Sequence, residues 1–134
     1  MSQSATSVLG IQPDSWAVTH TPAENVVATI TKAAVAGSLH ICTGIICTLT
    51  SETGLIAAAL GLVNLRDSTT GAGNILLSFR LSVAAVAGSA AAPVVIDTLY
   101  LPGVISQAMT LEFTAAGGVD TYETVALIGY TVRP

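Results

Sequence analysis

Short runs in which apolar and polar residues alternate are the feature that most restricts the fold of this chain. In the clearest run, residues 75–83, every odd-numbered position is apolar: Ile75, Leu77, Phe79, Leu81 and Val83. Successive side chains of a β-strand point to opposite faces, so this pattern predicts a strand with one buried face. The even-numbered positions between them are polar except for Leu76. The chain has no convincing amphipathic helical pattern, and we therefore expect an all-β fold.

Seven further segments read as strands separated by turn-forming residues. They lie near residues 16–20, 26–32, 39–49, 60–67, 94–100, 109–114 and 122–132. Regularly spaced short strands of this kind are typical of an all-β sandwich or barrel. Eight strands with long loops predict a single-domain, two-sheet antiparallel sandwich, and specifically a jelly roll. An immunoglobulin-type sandwich is the alternative, but its Cys…Trp…Cys framework is missing because Trp16 precedes both cysteines.

The sequence divides into an extended N-terminal arm, residues 1–13, and a β-sandwich domain, residues 14–134. The arm carries no charge and lacks the basic region and the long apolar core of a secretory signal. Its few apolar side chains cannot form a core of their own, so we expect a partner surface to cover them and the arm to act as a clamp. These side chains and one aromatic residue of the first strand are the candidate partner contacts: Val8, Leu9, Ile11 and Trp16.

Charge is scarce in this chain. Only 9% of the residues are charged, against about 25% in an average soluble domain. The four cations, Lys32, Arg66, Arg80 and Arg133, are scattered and the net charge is −4. This excludes the basic surface that nucleic acid or an anionic membrane requires. A soluble monomer relies on a charged surface to stay dispersed, so we expect much of this surface to be covered by other chains.

No residue pattern in the chain points to catalysis, a cofactor or a metal. A nucleophile elbow, a P-loop and a zinc-protease motif are all absent. Residues 67–73 contain a single carboxylate, Asp67, and predict a hairpin turn rather than a calcium loop. Glu112 is expected to pair across the sheet with Arg66 or Arg80. We therefore expect a protein that is not an enzyme.

Two cysteines and two histidines have structural interpretations. Cys42 and Cys47 are five positions apart, which puts them on opposite faces of one continuous strand unless a bulge intervenes, for which Gly44 is a candidate. We expect both to be buried, reduced thiols, as in a protein made in a reducing cytoplasm. His20 and His40 each lie near a strand end and are interpreted as residues of a sheet edge or a subunit contact.

Several stretches together resemble small virion proteins of tailed bacteriophages. They are residues 63–67 followed by 70–73, then 109–116, then 122–130, within a region of roughly residues 16–132. Among such proteins the chain is most similar to the jelly-roll cement, or decoration, proteins of the capsid exterior. The resemblance carries over no active-site residues. The chain departs from this family in its cysteine pair and in the small-residue stretch 84–92.

The resemblance implies a structural virion protein on the outer capsid surface, made in the cytoplasm of a host bacterium. Its partners would be the major capsid protein, whose subunit contacts it stabilises, and further copies of itself in a dimer or trimer. The alternative is a virion- or tail-associated receptor-binding or carbohydrate-binding β-sandwich module. Four aromatic residues could stack on a sugar in that case: Trp16, Tyr100, Tyr122 and Tyr130.

Overall fold

The computed structural model describes residues 14–52, 59–86 and 88–134. Nine strands form within these residues: β1 (Ser15–His20), β2 (Thr29–Lys32), β3 (Leu39–Ser51), β4 (Ala59–Arg66), β5 (Ile75–Val83), β6 (Val94–Ile96), β7 (Leu101–Pro102), β8 (Met109–Phe113) and β9 (Thr121–Val132). In this part of the chain no helix is long and apolar enough to cross a membrane. Three of the candidate contacts, Val8, Leu9 and Ile11, lie outside the described residues.

The strands form two antiparallel sheets. The first has the order β1–β9–β3, and both β6 and β7 pair with the far side of β3. The second has the order β2–β8–β4–β5. The first strand therefore pairs with the last, β2 with β8, β3 with the β6 and β7 pieces, and β4 with β5. This is a long antiparallel ribbon rolled into two sheets, which is a jelly roll. The prediction of an all-β, two-sheet antiparallel sandwich is confirmed.

The core lies between the inner faces of the two sheets. Its largest fully buried apolar side chains come from both sheets: Ile45, Leu49, Leu65, Met109, Leu111, Phe113 and Leu127. Burial of these side chains is the main stabilising contribution to a sandwich of this size.

Strand β5 follows the predicted alternation except at its first residue. Four of the five side chains predicted to face inward contact the core: Leu77, Phe79, Leu81 and Val83. Ile75, in contrast, is 50% exposed. The pairing with β4 shifts between Leu65 and Arg66, so that Leu76 is an extra residue on the β5 side. Such a bulge reverses the faces beyond it, and Leu76 packs against the core in place of Ile75.

A second bulge, in β3, explains the two cysteines. The pairing with β9 shifts between Cys42 and Gly44, which makes Thr43 the extra residue. The faces of β3 are reversed beyond this point, and both Cys42 and Cys47 therefore point into the core. Both are buried free thiols, as predicted. Burial raises the pKa of Cys42 to about 11 and that of Cys47 to about 12.

The strand predicted over residues 94–100 is confirmed only for Val94–Ile96, and the short strand β7 follows it at Leu101–Pro102. Strands β6 and β7 both pair with β3, but the residues between them leave the sheet. The Leu99 N–H donates to the carbonyl of Thr43 at 3.0 Å, so this excursion is attached at the bulge of β3. Tyr100, which the sequence placed in the strand, is exposed in this connection.

Candidate functional site

A pocket lies at one end of the sandwich, where β1 and β3 begin and β2 and β9 end. Its volume is about 500 Å³. We call it the end pocket and define it by its lining residues: Asp14, Ser15, Trp16, Lys32, Val35, Ser38, Thr131 and Arg133. The residues come from three stretches of the chain, 14–16, 32–38 and 131–133, brought together by the β1–β9 pairing and by the packing of β2 against β1.

A hydrogen-bonded network fixes Trp16 beside this pocket. Its indole Nε1–H donates to Thr131 Oγ1 at 3.0 Å, and Thr131 Oγ1 lies 2.8 Å from His40 Nδ1. His40 Nε2 lies 2.7 Å from the carbonyl oxygen of Ala33. Because a carbonyl only accepts, Nε2 of a neutral ring carries the hydrogen and Nδ1 accepts from the Thr131 hydroxyl. His40 is therefore a buried structural residue, and its predicted place at a sheet edge or subunit contact is wrong.

The Trp16 ring lies against a position that only glycine can occupy. Gly129 is its partner across the β1–β9 pair, and a Cβ there would lie 2.8 Å from the ring atom Cη2. His40 meets the same indole edge-to-face, with ring centroids 5.7 Å apart. These contacts hold the indole in one position and leave part of it facing the end pocket.

Two cations complete the end pocket. Lys32 Nζ lies 5.6 Å from the centre of a Trp16 ring, within the range of a cation–π contact. Arg133 follows β9, and its guanidinium lies over the tight turn at Gly37. A Cβ placed on Gly37 would be 3.5 Å from Arg133 Nη1. Among the described residues, no carboxylate oxygen lies within 4 Å of either cation. Asp14 also lines the pocket, so its charged side chains sum to one positive charge.

The outer face of the first sheet carries no charged side chain on its described strands. Inward positions are identified by their place in the core, and the residues alternating with them point outward. We give the name uncharged face to twelve of these outward residues: Ser15, Ala17, Thr19, Ile46, Thr48, Thr50, Val95, Tyr122, Thr124, Ala126, Ile128 and Tyr130. Glu123, the one strand residue of this sheet with a formal charge, points inward.

One row of the uncharged face crosses the whole sheet. Thr19 pairs with Ala126, Ala126 with Ile46, and Ile46 with Val95. Val95 is 61% exposed at the β6 edge. Glu52 lies at the rim, where its Oε2 accepts from the Tyr122 hydroxyl at 3.0 Å. An apolar centre with charge confined to the rim is the composition of a protein contact surface.

The outer face of the second sheet, in contrast, carries charge. Arg66 Nε donates to Glu112 Oε1 at 2.7 Å, which confirms one of the two predicted cross-strand pairs. Arg80 is exposed on β5. Glu112 itself is buried rather than on an open polar face, because the loop after β4 folds over it and the Gly71 N–H donates to it at 3.3 Å.

Asp67 closes that loop. Its Oδ1 accepts from the backbone N–H of Asn74 at 2.7 Å and its Oδ2 from the Asn74 amide at 3.1 Å. Strands β4 and β5 on either side are an antiparallel pair, so the predicted hairpin is confirmed. His20 is at the end of the edge strand β1, as expected, where its Nδ1 accepts from the Thr29 N–H at 3.1 Å.

A buried carboxylate occupies the interior away from the end pocket. Glu123 Oε1 accepts from the Ala28 N–H at 2.9 Å, while Oε2 is buried and has no partner at hydrogen-bond distance among the described residues. The side chain is 1% exposed. Burial raises the pKa of Glu123 above its usual value, because the charged form loses its hydration.

The predicted contact residues are thus placed in part. Trp16 lines the end pocket, while the arm residues are outside the described part of the chain. Sequence reasoning did not find the association of Lys32, Thr131 and Arg133 with Trp16. The sequence shows that cations are scarce, but this does not predict that two of the four line the same pocket.

Comparison with known proteins finds no matching family model and no matching curated protein. Among solved structures, MgGH51 α-L-arabinofuranosidase bound to arabinose aligns at a TM-score of 0.38 and 12% identity, over 84% of this chain and 23% of that one. The CBM36-1 domain of a multidomain xylanase from the hindgut metagenome of Trinervitermes trinervoides aligns at 0.33 and 12%, over 88% and 94%.

A third structure, infectious bursal disease virus strain Gx, aligns at a TM-score of 0.29 and 18% identity, over 90% of this chain and 32% of that one. The chain thus spans about a quarter of the arabinofuranosidase and about a third of the viral protein. At these scores the similarities carry no argument about function, which has to come from the surfaces of the molecule itself.

Proposed function

We propose that this protein is a structural virion protein that binds the outside of a phage head and stabilises contacts between major capsid subunits. The observation that carries the proposal is the uncharged face. It spans four strands of the first sheet, and none of the described side chains that point outward from these strands is charged. Covering such a face with another protein removes no charged side chain from water, so it costs less free energy than covering a charged face. The resemblance of the sequence to cement proteins supports a capsid as that partner.

The area of the uncharged face is small, which suits a contact that many copies of the protein make together. The face is four strands wide, with neighbouring strands about 4.8 Å apart, and eight residue steps of about 3.4 Å long, from Tyr122 to Tyr130. Its area is therefore about 400–500 Å². A stable interface of standard size buries about 800 Å² on each partner. One copy would therefore bind weakly through this face alone. Many copies, or a dimer or trimer, would add their contacts around a shell.

The alternative, a receptor- or carbohydrate-binding module, has less support from the geometry. Stacking on a sugar needs open aromatic faces close together. Trp16 is held between Lys32 and His40. Tyr122 and Tyr130 are eight positions apart on β9, or about 27 Å, which is too far for neighbouring rings of one short glycan.

The proposal is tested with phage particles that lack the protein, to which the purified chain is added back. Ile46→Lys places a charge at the centre of the uncharged face. We expect it to weaken binding at least about tenfold, because burying an unpaired charge costs several kcal/mol. Ser82→Lys is the matched control, since Ser82 is exposed on β5 in the other sheet. Thermal unfolding of both variants checks that they fold.

Two results would contradict the proposal. One is binding of the Ile46→Lys variant with the affinity of the wild type. The other is failure of the wild-type chain to bind the particles at any concentration tested. Quantitative mass spectrometry of intact particles adds an independent measurement, because a cement protein is present in hundreds of copies and a receptor-binding module in few.

A further inference from the structure

We propose that the end pocket binds a carboxylate, carried by an acidic side chain of the partner protein that covers the uncharged face. The inference rests on the proposed function and gives the partner a chemical feature. Its first basis is charge. The chain has four Lys and Arg residues and a net charge of −4, yet two of the four cations, Lys32 and Arg133, line this one pocket.

Both cations lack an acidic partner in the described part of the chain. The ion pair found there joins Arg66 to Glu112, and no carboxylate oxygen of a described residue lies within 4 Å of Lys32 or Arg133. Asp14 lines the same pocket without reaching either. An ammonium and a guanidinium facing one cavity can both donate to the two oxygens of a carboxylate, and such charge-assisted bonds are the stronger ones.

The pocket wall is fixed before any ligand arrives. Trp16 is held by Thr131, and Thr131 in turn contacts the buried ring of His40. Lys32 lies against the indole, and Arg133 lies over the turn at Gly37. A preformed wall lowers the entropy lost when a ligand binds.

Continuity with the uncharged face identifies the source of the carboxylate. Ser15 lines the end pocket and is also the first outward residue of β1 on the uncharged face. Its neighbour across the β1–β9 pair, Tyr130, belongs to that face as well. A protein lying on the face therefore reaches the mouth of the pocket. The positive pocket complements an aspartate or glutamate of that protein.

Trp16 makes the inference testable on the isolated protein, because it is the only tryptophan. Its indole N–H gives one NMR signal beside the pocket. We expect N-acetylglutamate with an amidated C-terminus to shift this signal saturably and the matching glutamine compound to leave it in place. Lys32→Gln and Arg133→Gln should each weaken this binding about tenfold, the usual loss for one charged hydrogen bond. Arg80→Gln, outside the pocket, is the control.

The particle assay separates this inference from the proposed function. We expect Lys32→Gln and Arg133→Gln to weaken particle binding about tenfold and to reduce its salt dependence. If both variants bind particles like the wild type while Ile46→Lys does not, the inference is wrong and the proposed function stands. If the glutamate compound titrates but wild-type protein never binds particles, the proposed function fails and the carboxylate site stands.

Glucuronate provides the remaining comparison. A saturable shift with glucuronate and none with the glutamate compound would make the pocket a site for acidic sugars and overturn the assignment to a protein partner. The absence of any saturable shift, with unchanged particle binding by both pocket variants, would overturn the site altogether.

Discussion

Thr131→Val is the sharpest test of how the end pocket is built. Valine keeps the size and branching of threonine and suits a strand equally well, so the substitution removes little besides the hydroxyl. That hydroxyl accepts from the Trp16 indole at 3.0 Å and lies 2.8 Å from Nδ1 of His40. Its loss leaves a donor and an acceptor without their partner.

The expected cost follows from the burial of the two groups. A buried polar group without a partner costs about 1–3 kcal/mol. His40 is 1% exposed, so its Nδ1 would stay dry and lose a full hydrogen bond. Trp16 is half-buried, and its N–H can reach water. We therefore expect Thr131→Val to lower the free energy of unfolding by about 2 kcal/mol. For a domain of this length that corresponds to a fall in Tm of about 6–10 °C.

Thermal unfolding followed by circular dichroism and by the single tryptophan fluorescence measures this loss. Thr131→Ser is the control, because serine keeps the hydroxyl and loses one methyl group, at a cost of less than about 1 kcal/mol. If Thr131→Val and Thr131→Ser unfold at the same temperature, the network does not hold Trp16, and the preformed wall of the pocket loses its basis.

Three further predictions concern the core. Phe113→Ala should cost about 3–5 kcal/mol in urea unfolding, and Phe79→Ala about half as much because Phe79 is half-buried on an edge strand; equal losses would contradict this. Burial raises the pKa of Glu123, so the folded state favours its protonated form. The free energy of unfolding is therefore higher at low pH and falls as the pH rises through this pKa. Glu123→Gln should therefore be increasingly more stable than wild type from pH 4 to 7, and a pH-independent difference would refute the assignment. Native Cys42 and Cys47 should resist iodoacetamide, while both react after non-reducing unfolding; a mass two hydrogens lower without labelling would show a disulfide.

Alternation in the sequence was sufficient to predict the all-β fold and eight of the nine described strands, because a two-residue period has one simple structural solution. Alternation did not predict which side chains face the core where a β-bulge inserts one extra residue. Leu76 was visible as the one apolar interruption in β5, yet only the pairing with β4 shows that it replaces Ile75 on the inner face. In β3 the same effect brought Cys42 and Cys47 to one face, and Gly44 gave a hint of it.

The end pocket could not be predicted in the same way. Trp16 and Thr131, which form its central hydrogen bond, are 115 positions apart. Local patterns carry no information about such contacts, since they depend on which strand pairs with which. The pairing of the first strand with the last follows from the rolled-up topology, and only this topology brings Arg133 beside Trp16.

The distribution of the four cations also bears on which of the two sheets would face the partner in the proposed contact. Lys32 and Arg133 line the end pocket, whereas Arg66 and Arg80 lie on the outer face of the second sheet. Charged side chains are costly to bury and are favoured where water remains. In the proposed contact, the sheet that keeps Arg66 and Arg80 would therefore face solvent, and the sheet without them would face the partner. The end pocket then lies at the margin of the contact, where a single acidic side chain would fix the orientation of an otherwise uncharged and weakly directional surface.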